Sequence, residues 1–138
     1  MQSESPTLLF IDDEELSLFV NEQIALITYP NARILKARSV AEGISILEKE
    51  LDILTVFVDI TMPGESGFDF LDKVCVETSQ KKFFMLTSSI DNRDIEKSKE
   101  FNCVGAYFVK PLSGRILRLA LEENNLPFFI GDNAKLTE

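Results

Sequence analysis

The chain contains no histidine, which removes imidazole as metal ligand, general base or phosphoryl carrier. Cysteine is almost as scarce. Cys75 and Cys103 are the only two; without CxxC spacing or a histidine to share a metal, they read as reduced thiols that serve packing. Basic residues are few as well: 14 Lys and Arg against 23 Asp and Glu give a net charge of −9. Lys81 with Lys82 is the single adjacent basic pair, so the clustered cations that neutralise nucleic-acid phosphates are missing. No apolar stretch is long enough for a transmembrane helix, and Met1 to Pro6 lacks the layout of a signal peptide. A cytoplasmic setting is expected. At 138 residues, 45% hydrophobic and 27% charged, the chain has the size and composition of one globular domain.

What is present is a repeated ending. Four apolar runs stop at polar groups: Leu8 to Ile11 at Asp12 and Asp13, Val56 to Val58 at Asp59, Phe83 to Leu86 at Thr87, and Tyr107 to Val109 at Lys110. If the runs are parallel strands, these endings share one edge of one sheet. Helical patterns separate them. Leu16, Val20, Ile24 and Ile27 recur at helical spacing, with Glu14 and Glu15 in the first turn where the helix dipole favours acids, and Tyr29-Pro30-Asn31 ends that helix. Arg33 to Ala37 reads as a second strand, and Ser39 as the cap of a helix through about Lys49. Ile53 to Asp59 is a third strand, apolar enough to be covered on both faces. Ile60 to Gly67 is a loop broken by proline and glycines, followed by a helix over Phe68 to Glu77. Lys82 to Thr87 and Gly105 to Val109 are the fourth and fifth strands, with a polar helix over Asn92 to Phe101 between them. Ile116, Leu119 and Ala120 mark a last helix ending near Asn124. Five βα units without repeat or linker predict an α/β fold with a doubly wound, five-stranded parallel sheet, over a domain of residues 5–125 with a tail at 126–138. In such sheets ligands bind beyond the carboxyl ends of the strands.

Three carboxylates at that edge need compensation. At an effective dielectric near 20 each close pair repels by roughly 4 kcal/mol, so either some are protonated or a hard divalent cation sits among them. Magnesium favours such oxygens and commonly pairs one or two carboxylates with a phosphate. Asp13 and Asp59 would be direct ligands, Asp12 would act largely through water, and a backbone carbonyl just past Asp59 would complete the set. Taken alone, Asp12-Asp13-Glu14-Glu15 is equally a helix cap. Asp59 is harder to read as structure, because it ends the strand best suited to the buried centre, where a carboxylate needs a partner or a job. It reads as a nucleophile able to form an aspartyl phosphate. Lys110 precedes Pro111, a pair compatible with a cis bond, and its ammonium could pair with Asp59 at rest and with a phosphoryl oxygen afterwards. Thr87 supplies a hydroxyl at the matching edge.

The acidic pair, Asp59 with Met62-Pro63 and Gly67, Thr87, and Lys110-Pro111 together resemble the receiver domain of two-component response regulators, from about Thr7 to Asn124. The resemblance implies a flavodoxin-like (βα)5 fold with Asp59 as phosphoacceptor and Asp12 and Asp13 as the acidic pocket for Mg2+. It implies that the main-chain carbonyl of Thr61 is a further ligand, that Thr87 is the switch hydroxyl and Lys110 its phosphoryl partner, and that Tyr107 is a switch aromatic swinging between outward and inward rotamers. The resemblance also implies that Thr61 and Ser89 flank the site where water or a phosphatase would approach. The implied phosphodonor is a histidine kinase or histidine phosphotransferase. The implied readout is a protein-binding face made by the fourth helix, fifth strand and fifth helix, addressed to an unknown downstream protein, or else relay of the phosphate onward. No nucleic acid or membrane is expected, the assembly is a monomer or weak dimer, and the chain is not an enzyme beyond phosphorylating and dephosphorylating its own Asp59.

After the last helix too little sequence follows for a DNA-binding module, so a single-domain regulator is expected. Leu126-Pro127-Phe128-Phe129-Ile130 is expected to fold back on the domain, with a self-association or partner contact as the alternative. Two other functional readings stay open. A strand ending in Asp59-Ile60-Thr61 also resembles the nucleophile motif of haloacid-dehalogenase-type phosphohydrolases, although there the nucleophile normally ends the first strand. The other is a phosphorylation-independent binding module of the same fold, against which the complete acid, hydroxyl and lysine set counts.

Overall fold

Period-two alternation in the strands splits the core into two layers. The computed structural model describes residues 5–76 and 80–131. Its elements run β1 (Thr7–Ile11), α1 (Glu15–Thr28), β2 (Arg33–Ala37), α2 (Val40–Lys49), β3 (Thr55–Val58), α3 (Gly67–Val74), β4 (Lys82–Thr87), α4 (Asn92–Ser98), β5 (Val104–Val109), α5 (Gly114–Glu122) and β6 (Phe129–Ile130). All strand pairs are parallel, in the order β2-β1-β3-β4-β5-β6. Leu9, Ile11, Val56, Val58, Phe83, Met85 and Tyr107 face one way and pack with Val40 and Leu47 of α2, Phe70 and Leu71 of α3 and Ile95 of α4. Their neighbours Leu8, Phe10, Phe57, Phe84, Leu86 and Phe108 face the other way, onto Leu18 and Ala25 of α1 and Ile116, Leu117 and Ala120 of α5. This is the doubly wound α/β sheet that the sequence implies, since a strand covered on both faces has no polar side to alternate with.

On the α1 and α5 side, Phe10, Phe57, Phe84 and Phe108 form a ladder across four strands, with ring centroids 5.1, 5.4 and 5.6 Å apart. Each such pair adds roughly 0.5–1.5 kcal/mol beyond its area burial, so the ladder fixes the register of β1, β3, β4 and β5. Serine caps set the starts of three helices. Ser39, Ser66 and Ser113 accept from the backbone N–H groups of Glu42, Asp69 and Ile116, and Ser66 with Asp69 completes a capping box. Caps of this kind contribute about 1 kcal/mol each.

Four expectations change. Among the described residues the sheet has six strands, because Phe129 and Ile130 return to pair with Tyr107 and Phe108; two residues carry too little periodicity to announce a strand. Of the apolar stripe expected on α1, Ile24 alone packs against the core, half-buried. Leu18, Asn21 and Ala25 are buried, whereas Leu16, Val20 and Ile27 are exposed, as is Phe19. The small Ala25 allows close approach to the sheet and α5, and that contact overrides the larger residues. The helix after Gly67 ends at Val74, earlier than the expected Glu77, which lies outside the described residues, as do positions 132–138 of the expected tail. Finally, the cysteines are not reduced. The C-cap of α3 and the approach to β5 bring Cys75 and Cys103 to a Cα–Cα distance of 5.7 Å, and they are joined by a disulfide. A separation of 28 residues concealed a pairing that only the crossover geometry creates, and the thiol argument for a compartment falls with it. Among the described residues no helix is long and apolar enough to cross a membrane.

Candidate phosphoacceptor site

The strands end where the sequence placed its polar groups, and they end together. In β1 and β3, Ile11 lies in register with Val58, and the Asp59 N–H donates to the carbonyl of Ile11 at 3.0 Å. Asp12 and Asp59 thereby leave adjacent strands side by side. In β4 and β5, Thr87 lies in register with Val109, and the Lys110 N–H donates to the carbonyl of Thr87 at 2.9 Å. Lys110–Pro111 is cis. Gly67 lies directly under the Asp59 carbonyl, so that a Cβ there would collide with main chain, and its N–H donates to Ile60 at 2.9 Å. That close approach explains why the loop returns through glycine.

Oxygens of Asp12, Asp13 and Asp59 lie within 4.8 Å of one another. Lys110 Nζ stands among them, 2.6 Å from Asp12 Oδ2 and 3.1 Å from Asp59 Oδ2, with Glu14 Oε1 at 3.7 Å. Asp12 and Asp59 are buried while Asp13 is half-buried. Asp12 Oδ1 accepts the Glu14 N–H at 2.9 Å, and Asp59 Oδ1 accepts the Thr61 N–H at 3.4 Å. Burial raises the Asp12 carboxyl above its ordinary value, and the Lys110 contact only partly offsets this. At Lys110 burial works to lower the pKa, but the Asp12 hydrogen bond and the charge of Asp59 outweigh it, and the net shift is upward. The amine therefore stays an ammonium. Lys110 alone cannot neutralise the three clustered carboxylates, and their all-oxygen, anionic donor set fits a hard divalent cation.

The residues assigned to the site from sequence are brought to this edge, except Tyr107, which lies within β5 opposite Met85. Asp13, Asp59, Thr61, Thr87 and Lys110 line one cleft of about 430 Å³ with Glu14, Ser88 and Ser89. Asp12 sits beneath it on Lys110. Tyr107 lies behind the cleft, fully buried, and its hydroxyl donates to the Ser89 carbonyl at 2.9 Å. Burial pushes the phenol pKa up.

Ser89 connects more than its sequence position suggests. Its N–H donates to Thr87 Oγ1 at 3.5 Å, its hydroxyl donates to Asp94 Oδ2 of α4 at 2.6 Å and accepts the Asp91 N–H at 3.2 Å, and its carbonyl holds Tyr107. Cleft, α4 and β5 thus meet at one residue. Its proximity to Thr87 was legible; its role as a junction was not, because the bonds to α4 depend on how a polar loop turns. Sequence reasoning also missed Phe129, whose ring lies 5.8 Å from that of Tyr107. The only signal was the apolar run itself.

Comparison with known proteins agrees with this geometry. The family model described as the response regulator receiver domain matches residues 8–122. No curated protein matches the chain. Among solved structures, a two component response regulator from Cytophaga hutchinsonii is 26% identical with a TM-score of 0.75, over 84% of this chain and 93% of that one. A response regulator receiver domain protein from Clostridium thermocellum is 29% identical with a TM-score of 0.72, over 84% and 90%. A CheY-like receiver domain protein from Methanospirillum hungatei JF-1, 24% identical with a TM-score of 0.72 over 82% and 87%, shares the fold. With its acids, hydroxyl and lysine gathered at the carboxyl edge of a doubly wound sheet, the chain belongs to the response regulator receiver domain family.

Proposed function

We propose that Asp59 accepts a phosphoryl group from a phosphohistidine on a separate protein and that the resulting acyl phosphate resets a protein-binding face. The observation that carries this reading is Lys110 Nζ 3.1 Å from Asp59 Oδ2, inside a cluster of three carboxylates. Transfer breaks the donor's P–N bond as a P–O bond forms to an Asp59 oxygen. Asp13, Asp59 and the Thr61 carbonyl would hold Mg2+. Asp12, with one oxygen on Lys110 and the other on the Glu14 N–H, supports them without taking the ion directly. When bound, magnesium supplies the positive charge that lets an anion attack an anion.

The residues do the rest. Lys110 holds Asp59 in place and then has a phosphoryl oxygen to pair with. Thr87, buried at the cleft wall, offers a hydroxyl to the same group. The new charge, of order −1.5 to −2, recruits Thr87 and Lys110 at the cleft wall and so fixes the Ser89 junction, through which α4 and β5 feel the change. The face formed by α4, β5 and α5 is the readout, whether a downstream protein binds there or the phosphate is relayed onward. Water returns Asp59 to the carboxylate, and no external phosphomonoester is turned over.

A donor must contact the rim of the cleft to reach Asp59. α1 starts at that rim, and Leu16, Phe19 and Val20 on its first turns are exposed. This apolar patch suits a helix of a histidine kinase or histidine phosphotransferase.

The test is magnesium-dependent labelling by a small acyl-phosphate donor, read as intact mass. Wild type should gain one phosphoryl group and Asp59→Asn none; an unmodified wild type would end the proposal. Phe19→Ser should slow transfer from a phosphohistidine protein while leaving labelling by the small donor unchanged.

A further inference from the structure

The outer edge of β5 is covered by the chain's own C-terminal segment, and that cover rests on Tyr107. Phe129 and Ile130 pair in register with Tyr107 and Phe108. The two residues of β6 face opposite sides: Ile130 is buried in the layer under α5, whereas Phe129 lays its ring against Tyr107 at 5.8 Å between centroids. The Tyr107 N–H donates to the Phe128 carbonyl at 2.6 Å, and Lys99, just past α4, holds its ammonium 5.8 Å from the Phe128 ring centroid. The segment therefore straps the sheet edge between α4 and α5.

Tyr107 is fixed at three points, by its hydroxyl on the Ser89 carbonyl, its ring on Phe129 and its N–H on Phe128. An outward swing of its ring would need Phe129 to leave. Removing Phe129 would in turn take away the cover that keeps the hydroxyl on Ser89, a residue that lines the Asp59 cleft. A strand of two residues has little pairing of its own to resist either change.

We propose that β6 is a displaceable strap whose docking on β5 is thermodynamically coupled to occupancy of the Asp59 cleft, with Tyr107 and Ser89 as the link; this rests on the phosphoacceptor reading of Asp59. The sign follows from what the strap fixes. Docked β6 keeps Tyr107 on Ser89 and so holds Thr87 and the Ser89 N–H at the cleft wall, where a phosphoryl group would meet them. Occupancy should favour docking, and docking should favour occupancy by the same factor.

The full-length chain is tested with magnesium and beryllofluoride, a phosphoryl mimic, with fluorine NMR reporting whether the mimic is bound. Exchange of the Tyr107 amide reads β6 docking directly, because its acceptor is Phe128. Saturating mimic should slow that exchange by about fivefold or more, in the usual range of coupling between sites. The Phe83 amide, which donates to Cys103 at the far end of the sheet, should be unchanged. Phe129→Ala should weaken mimic binding by the same factor, and Phe129→Tyr, which keeps the ring, should restore it. A bound mimic with unchanged or faster Tyr107 exchange overturns the strap and leaves the phosphoacceptor reading intact. Absence of any bound fluorine signal overturns both.

Discussion

Asp59 and Cys103 lie at opposite ends of one parallel sheet, and the two ends are built differently. Where the strands stop, Asp12, Asp59 and Thr87 are buried polar groups, and the two carboxylates share the Lys110 ammonium. Where they start, Cys75 and Cys103 are joined covalently, and Arg33 pairs with Glu50 and Asp52 at the surface. Burying like charges together weakens a fold, whereas cross-linking distant positions strengthens it by restricting the unfolded chain. On the proposed reading the chemistry is concentrated at the end that costs stability, and the opposite end supplies a covalent restraint. Substitutions at the two ends should separate activity from stability in opposite senses.

The largest contrast comes from Asp59→Asn. It should abolish magnesium-dependent labelling while leaving a neutral Asp12–Lys110 pair, so the unfolding midpoint in denaturant should stay where it is or rise. A large fall in that midpoint would show that Asp59 is needed for the fold. Lys110→Met should do the reverse at the same end. It leaves Asp12 and Asp59 buried without a cation, a situation that costs about 3–5 kcal/mol when one partner of a buried pair is removed. Magnesium should return part of that loss, and a destabilisation indifferent to magnesium would count against a shared cation site.

At the starting end, reduction of the Cys75–Cys103 bridge, or the double change Cys75→Ser with Cys103→Ser, should lower stability without touching labelling. Closing a loop of this length is worth roughly 3.5 kcal/mol on the chain-entropy account, which sets the ceiling. Denaturant unfolding with and without reductant, run beside the labelling assay, measures both quantities on one sample. If reduction also slowed labelling, the two ends would be coupled through β5, which begins at Val104 beside Cys103 and ends at Val109 beside Lys110.

How far the sequence revealed each end follows the same division. The candidate site was legible because its polar groups sit at strand ends: continuous apolar runs terminate at Asp12, Asp59, Thr87 and Lys110, and a parallel sheet gathers such endings. The doubly wound core followed from runs such as Ile53 to Val58, which have no polar face. The disulfide was not legible, since Cys75 and Cys103 meet only after α4 has crossed between β4 and β5. The buried face of α1 is not legible in the sequence, because Ala25 and Asn21 outcompete Leu16 and Ile27 for the sheet, which is a packing outcome and not a matter of hydrophobicity. β6 was read as an apolar run that returns to the domain; its pairing with Tyr107 depends on backbone register that two residues cannot encode.

The smallest expected effect is a pH dependence in which both ends lose stability together in alkali. At the stopping end, Lys110 has a pKa above its ordinary 10.5; its contribution is complete below that value and is lost as pH rises through the folded pKa. At the starting end, Tyr29 caps α1 and donates its hydroxyl to Glu122. Burial first, then the Glu122 contact, pushes its pKa above 10.0. An acid protected in this way binds its proton more tightly in the folded chain, so its contribution too is complete below 10.0 and fades above it. Thermal midpoints at about pH 9 and about pH 11 measure the combined slope through this linkage. Tyr29→Phe should flatten the slope by removing the starting-end share while leaving that of Lys110. A slope unchanged by Tyr29→Phe would assign the alkaline loss to the site alone and make the starting end independent of pH.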